Sequence, residues 1–354
     1  MSQENMFENP EWQPSGNYGK FDEVTVKEAR GAFSRFCLSL FLYLLIANAI
    51  VFAITAVMAL VMGDSANAFL ESNPVIQMII STVPMYLVSF PVLYLIVRGM
   101  PSHKREKKKL SALELFYTFL VAEAFMMAGN LIGQSLNASI SNIFGIEINN
   151  TTADLITEAP IWLVFILVVI LAPIVEELIF RKLMIDKLSR YGDTVAIIVS
   201  AVAFGLFHGN FYQFFYAAFL GLLLGYVYCK SGKVKYTIIY HMIINFLGSV
   251  AVIPLLKYEE LLMSGAIPET GAALGEFFTA VMAMGSYAVI QYAMVIAGVV
   301  VFFNAIKYRM INVNRNAEIR IPRGRTAGAV LLNVGSMLFL AFSLLTFVAS
   351  IFLG

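Results

Sequence analysis

Charge is scarce in this sequence: Asp, Glu, Lys and Arg make up 13% of its 354 residues, against 59% hydrophobic. Soluble globular domains carry about a quarter charged residues, so the chain is excluded from that class. With a formal net charge of +1 it has no basic excess of the kind a nucleic acid selects, and no such partner is expected. Cysteine is nearly absent. Cys37 and Cys229 lie near the ends of different predicted helices without motif spacing, which excludes a disulfide framework or thiolate metal site and leaves them as small buried hydrophobes. No cleavable signal peptide is expected, because the first apolar run starts near Phe33, is too long for an h-region and follows a polar stretch. No internal repeat supports a transporter built from related halves.

What the chain has instead is long apolar runs. They cover about Phe33 to Met62, Val75 to Val97, Leu113 to Leu136, Ile161 to Leu183, Thr194 to His208, Phe211 to Cys229, Tyr236 to Leu256, Phe278 to Ile306 and Ala327 to Leu353. A run of about 20 apolar residues spans the hydrocarbon core as a helix. The expected fold is therefore all-α, a polytopic transmembrane helical bundle of eight or nine spans with its chemistry in the middle spans. Residues 1–30, with Asn9-Pro10 and Pro14-Ser15-Gly16, read as a flexible cytoplasmic arm, and 31–354 as one membrane domain. The uncertain pair is Thr194 to His208 and Phe211 to Cys229, separated by Gly209-Asn210. The first reaches only roughly 22 Å, and a helix that stops at bilayer depth needs protein or water to cover its freed backbone groups.

Cytoplasmic loops are enriched in Lys and Arg, which tests the topology. With the N-terminus cytoplasmic, every lysine and arginine except Lys257 falls on the inner side, while the opposite loops carry Asp64, Glu71, Glu147, Asp154 and Glu158. The run Lys104-Arg105-Glu106-Lys107-Lys108-Lys109 reads as a topogenic basic loop facing lipid headgroups.

Against this background a few ionisable groups sit inside apolar helices, where they are expensive and usually face the bundle interior. Glu176 and Glu177 are followed by Arg181; His208 ends the fifth run; His241 and Asn245 open the seventh. On a helix Glu177 and Arg181 share a face and can pair, whereas Glu176 points about 100° away. Glu177 with Arg181 is thus the structural pair, and Glu176 is free to face a cavity as a general base. Phe204, one turn before His208, can shape its pocket. His241 and Asn245 share a face and make a donor pair suited to the oxyanion that forms when water attacks an amide carbonyl. Glu123, Gln291 and Asn304 read as interhelical hydrogen-bond partners or as further cavity lining. Tyr212, Gln213, Phe214 and Phe215 read as an aromatic interface or the edge of a substrate groove.

The set Glu176-Glu177 with Arg181, Phe204 with His208, and His241 with Asn245 resembles the pattern EExxxR, FxxxH, HxxxN of the CPBP (ABI) family of intramembrane proteases. That family includes type II CAAX prenyl endopeptidases and bacteriocin-processing or self-immunity proteins. The motifs cover about residues 161–249, which the resemblance makes the catalytic core. It implies that Glu176 and His208 activate water, that His241 and Asn245 stabilise the oxyanion, and that Glu177, Arg181 and Phe204 support them. It also implies an integral protein of the bacterial plasma membrane acting on a membrane-associated peptide or protein among membrane lipids.

Metal use stays open at this point. Glu176, His208 and His241 could complete a three-ligand zinc site with an open fourth position. They could equally form a metal-free acid/base set, which the carboxamide beside His241 and the lack of a compact HExxH motif favour. The expected function is an intramembrane endopeptidase, of the glutamate-dependent or metallo-endopeptidase type. The alternative is a non-catalytic self-immunity or scaffold protein that retains the fold.

Overall fold

The computed structural model describes residues 18–253, 255, 262–263, 271–311, 313 and 317–352, and every regular element among them is helical. Nine principal helices carry the described fold: α1 (Tyr18–Met62), α2 (Pro74–Val97), α3 (Ala112–Phe144), α4 (Ile161–Tyr191), α5 (Asp193–Phe207), α6 (Phe211–Ser231), α7 (Val234–Gly248), α8 (Gly271–Lys307) and α9 (Val334–Phe352). Seven are long and apolar enough to cross a membrane, so the chain is an integral membrane protein. The other two, α5 and α7, have 15 residues each and reach about 22 Å, short of a hydrocarbon core of about 30 Å.

Several boundaries differ from expectation: α3 runs on to Phe144 and α4 to Tyr191, while α8 begins at Gly271 and α9 at Val334. The run expected to continue to Leu256 stops as a helix at Gly248 and turns through residues 249–252. At the other end, α1 begins at Tyr18, inside the stretch expected to be an arm; residues 1–17 lie outside the described residues. The early start has a periodic cause. Val26, Ala29, Phe33, Phe36 and Leu40 are buried along one face at helical spacing, although the charges between them lower the hydropathy there.

Two of the spanning helices widen just before a proline. In α2 a π-helical segment, Met85–Ser89, precedes Pro91, and in α4 another, Phe165–Leu171, precedes Pro173. Proline removes one intrahelical hydrogen bond and its ring crowds the carbonyl four residues back; a wider turn relieves both. A third π segment, Leu178–Ile185, follows Glu177. Such insertions re-aim side chains and often lie at functional sites, and here they bracket the paired carboxylates.

Close helix approach rests on small residues, as expected where no hydrophobic force separates protein from lipid. A Cβ on Gly129 of α3 would fall 2.5 Å from the Tyr216 backbone of α6, and one on Gly205 of α5 would fall 2.6 Å from the Phe214 carbonyl. The α5–α6 turn itself needs Gly209, whose φ is 69°. Between α3 and α8, Gln291 Nε2 donates to Glu123 Oε2 at 3.1 Å, so these two are interhelical partners; Asn304 is exposed.

At the basic end of the bundle the 98–109 segment is pinned rather than loose. The Arg105 side chain is 6% exposed, its Nε 3.3 Å from Asp186 and its Nη2 2.7 Å from Asp193, and it donates to the Ser189 hydroxyl. Tyr228 donates to Asp186 at 2.8 Å from α6. Lys104, Lys107, Lys108 and Lys109 remain exposed. The expectation of a lipid-facing basic loop is therefore corrected at Arg105, whose planar fork finds two carboxylates.

Candidate functional site

The site forms where α4, α5 and α7 meet. Glu177 and Arg181 lie one turn apart on α4, both fully buried, with Oε2 and Nε 3.1 Å apart. The pair is not aligned as a hydrogen bond, and the Arg181 Nη atoms have no hydrogen-bond partner among the described residues. Instead the guanidinium sits 4.7 Å over the Phe204 ring, a cation–π contact that a desolvated setting strengthens. Buried cations need such compensation.

From α7, His241 inserts between the two carboxylates. Its Nδ1 meets Glu177 Oε1 at 3.1 Å, and its Nε2 faces Glu176 Oε2 at 3.6 Å. Glu177 thus does more than neutralise Arg181: it sets the orientation of an imidazole whose other nitrogen faces Glu176. The Glu176 side chain keeps 12% exposure where Glu177 has none, consistent with the 100° separation read from the sequence.

His208 arrives from the other side. It caps the C-terminal end of α5, and its ring has no protein hydrogen-bond partner among the described residues. Phe204 packs edge to face on both imidazoles, its centroid 5.1 Å from His208 and 5.6 Å from His241. Asn245 lies one turn beyond His241 and donates through Nδ2 to the Val168 carbonyl at 2.9 Å. That carbonyl belongs to the π segment before Pro173, where wide pitch leaves acceptors for an outside donor. One Nδ2 hydrogen and the Oδ1 of Asn245 stay unused by this bond.

Sequence reasoning missed the tyrosines around Glu176. Tyr43 of α1, Tyr86 of the α2 π segment and Tyr216 of α6 all lie close enough to feel its charge. None belongs to a motif, so only the packing of three distant helices reveals them. Tyr216 accepts from Gln213 Nε2 at 2.9 Å, Gln213 Oε1 accepts from Asn210 Nδ2 at 2.9 Å, and Asn210 also donates to the His208 carbonyl at 3.0 Å. This chain of bonds braces the turn that presents His208. Phe214 packs edge to face on Phe215 and on Phe347 of α9, the aromatic interface that the sequence suggested.

A cavity of about 290 Å³ reaches His208 from the end of the bundle opposite the basic loops. Its wall mixes apolar side chains such as Leu44, Ile148 and Phe207 with uncharged polar ones, including Asn48, Asn137, Asn150, Thr152, Thr346 and Ser350. Tyr212 also lines it and donates to the Ile148 carbonyl at 2.9 Å. The Asn137 carboxamide nitrogen is buried there without a hydrogen-bond partner among the described residues.

The donor set does not fit the zinc arrangement offered by the sequence. Among the described residues no three His, Cys, Asp or Glu side chains converge as metal ligands. Phe204 packs edge to face on both imidazoles, and Glu177 and Glu176 flank the two nitrogens of His241.

Residues 158–247 match the family model described as type II CAAX prenyl endopeptidase Rce1-like, a stretch that holds every residue of the site on α4, α5 and α7. The chain is also similar to the protein named "Putative membrane peptidase YdiL" of Bacillus subtilis (strain 168), 26% identical over 168 residues, or 46% of this chain and 68% of that protein. No solved structure gives a significant match.

Proposed function

From a chain that carries an Rce1-like domain of the CPBP kind in residues 158–247, we propose an intramembrane endopeptidase with its catalytic core in residues 161–249. The comparisons support a membrane protease in general; the assignment of roles is our own. One observation carries it: an imidazole oriented by a buried carboxylate turns its free nitrogen toward a second, partly exposed carboxylate, His241 Nε2 to Glu176 at 3.6 Å.

In this reading a water held by Glu176 and His208 attacks the scissile carbonyl carbon, and Glu176 takes the water's proton. The developing oxyanion is met by His241 Nε2 and by the Asn245 hydrogen that Val168 does not use. Collapse of the tetrahedral intermediate breaks the C–N bond as Glu176 returns the proton to the leaving amine. No step is routed through a metal. The substrate is a membrane-associated peptide or protein, and its uncharged backbone groups suit the hydroxyls and carboxamides that line the way to His208.

The test compares membrane peptide profiles of cells carrying the intact protein, Glu176→Gln or His208→Ala, with and without chelator. Loss of the same cleavage products in both variants at unchanged membrane expression, insensitive to chelator, is the expected result. Unchanged products in both variants would overturn the protease reading in favour of a scaffold. Chelator-sensitive cleavage would overturn the metal-free mechanism alone.

A further inference from the structure

A second cavity, also of about 290 Å³, lies far from the carboxylate pair, at the basic end of the bundle. Its wall is drawn from three chain segments: Glu28, Gly31, Ala32 and Arg35 of α1, Met100 and Pro101 after α2, and Lys187, Arg190 and Tyr191 at the end of α4. Two spanning helices end beside it, at Val97 and Tyr191, and the apolar part of α1 begins beside it at Phe33. The cavity therefore sits at the level where hydrocarbon gives way to headgroups. Tyr191, packed with its ring centroid 5.6 Å from Phe33, is the kind of residue that marks this level.

The wall is cationic, with Arg35, Lys187 and Arg190 against Glu28. Arg190 is already engaged, at 3.6 Å from Glu28 and 3.0 Å from Glu318. Arg35 and Lys187 are not: neither forms an ion pair among the described residues, and each has only a backbone acceptor. Arg35 Nε donates to the Ile96 carbonyl at 2.9 Å, and Lys187 Nζ donates to the Met100 carbonyl at 3.1 Å. Lys187 is 6% exposed, so its ammonium is poorly hydrated, and the neighbouring Asp186 is already held by Arg105 and Lys182 rather than paired with it. A buried charge without a counter-charge is costly, and here the cost is met if an anion completes the site.

We propose that this cavity binds a phosphate-bearing anionic headgroup, with phosphate oxygens between Arg35 and Lys187. The Nη atoms of Arg35 and two of the three Lys187 hydrogens remain for that purpose, and charge-assisted bonds of this type are the strong ones. An anionic phospholipid is the occupant at this level of the bilayer, since its acyl chains lie along the neighbouring spans and its phosphate at their ends. Bound there, it would tie α1 to α4, the helix that carries Glu176.

The experiment uses the full-length Glu176→Gln protein, delipidated in neutral detergent, so that its outcome does not depend on the protease reading. Phosphatidylglycerol, phosphatidylcholine and inorganic phosphate are titrated separately, with binding read by native mass spectrometry and by the thermal midpoint. Phosphatidylglycerol should bind and raise the midpoint, phosphatidylcholine should not, and Lys187→Met or Arg35→Gln should each weaken the binding about tenfold or more. Lys187→Arg should restore it. Arg35 is exposed, so its variant keeps the test open if Lys187→Met fails to fold. Glutamine at Lys104, Lys107, Lys108 and Lys109 should leave the affinity unchanged. Saturation by inorganic phosphate alone, lost in the same two variants, would support the anion site with a soluble source. Equal binding of both lipids, or loss with the four loop substitutions but not with Lys187→Met or Arg35→Gln, would overturn it.

Discussion

Glu176 and Glu177 are adjacent in the chain and opposite in circumstance. Glu177 has no exposure and touches both Arg181 and His241, while Glu176 keeps a small opening and, among the described residues, faces the far nitrogen of that imidazole. The same substitution should therefore fail in two ways. Glu177→Gln removes the counter-charge of the buried Arg181, and breaking a buried pair costs about 3–5 kcal/mol. Its thermal midpoint should fall along with its turnover. Glu176→Gln should lose turnover while the midpoint holds, as thermal unfolding in detergent beside a cleavage assay would show. Equal midpoint losses in the two variants would contradict the division of roles. The helical offset that separates the two carboxylates was legible from spacing alone. The Glu177–His241 contact was not, because it joins side chains from helices separated by the whole of α5 and α6.

The helices of this bundle are held apart by no more than backbone width at several crossings. Gly129 and Gly133 of α3 lie against the backbone of α6 near Tyr216 and Phe211, and α6 begins at the turn that presents His208. Gly129→Val should destabilise the protein by about 1–3 kcal/mol through overpacking, because the nearest atoms are backbone and cannot rotate away. The thermal midpoint in detergent would register it. Gly31 supplies the contrast, since a Cβ there would have nothing within 4 Å: an alanine at that position should leave the midpoint near wild type. The proline-associated π segments belong to this level too. Pro91 and Pro173 can be read from the sequence as helix irregularities. Whether a helix kinks, breaks or widens at such a residue depends on the neighbours that satisfy its freed carbonyls, as Asn245 does for Val168.

The whole molecule is polarised, with its ionic contacts outside the site gathered at one end. There the segment after α8 is laced back to the body: Ile319 N donates to the Arg190 carbonyl at 2.9 Å, and Glu318 meets His103 at 2.6 Å and Arg190 at 3.0 Å. These partners, His103 first, lower the Glu318 carboxyl pKa below its ordinary value of 4.5. A carboxyl lowered on folding adds stability that is present above its unfolded value and is lost as pH falls through the folded one. The acid-side loss of the strap, below about pH 4.5, should be smaller in Glu318→Gln, whose strap is already weaker at neutral pH. Hydrogen exchange of the 317–325 backbone across that pH range would measure it.

Composition and pattern alone settled that this chain is a helical membrane protein, placed nearly all its basic residues at one end and singled out Glu176, His208, His241 and Asn245. Those conclusions follow from local facts: hydrophobic length, helical period and the rarity of ionisable groups in apolar runs. Packing settled which carboxylate touches which nitrogen, that Phe204 packs on both imidazoles, that three tyrosines lie within range of the Glu176 charge, and that Arg35 and Lys187 share a cavity without an ion-pair partner of their own among the described residues. Such pairings depend on tilt, crossing distance and wide turns in helices far apart along the chain, and no short-range pattern encodes them.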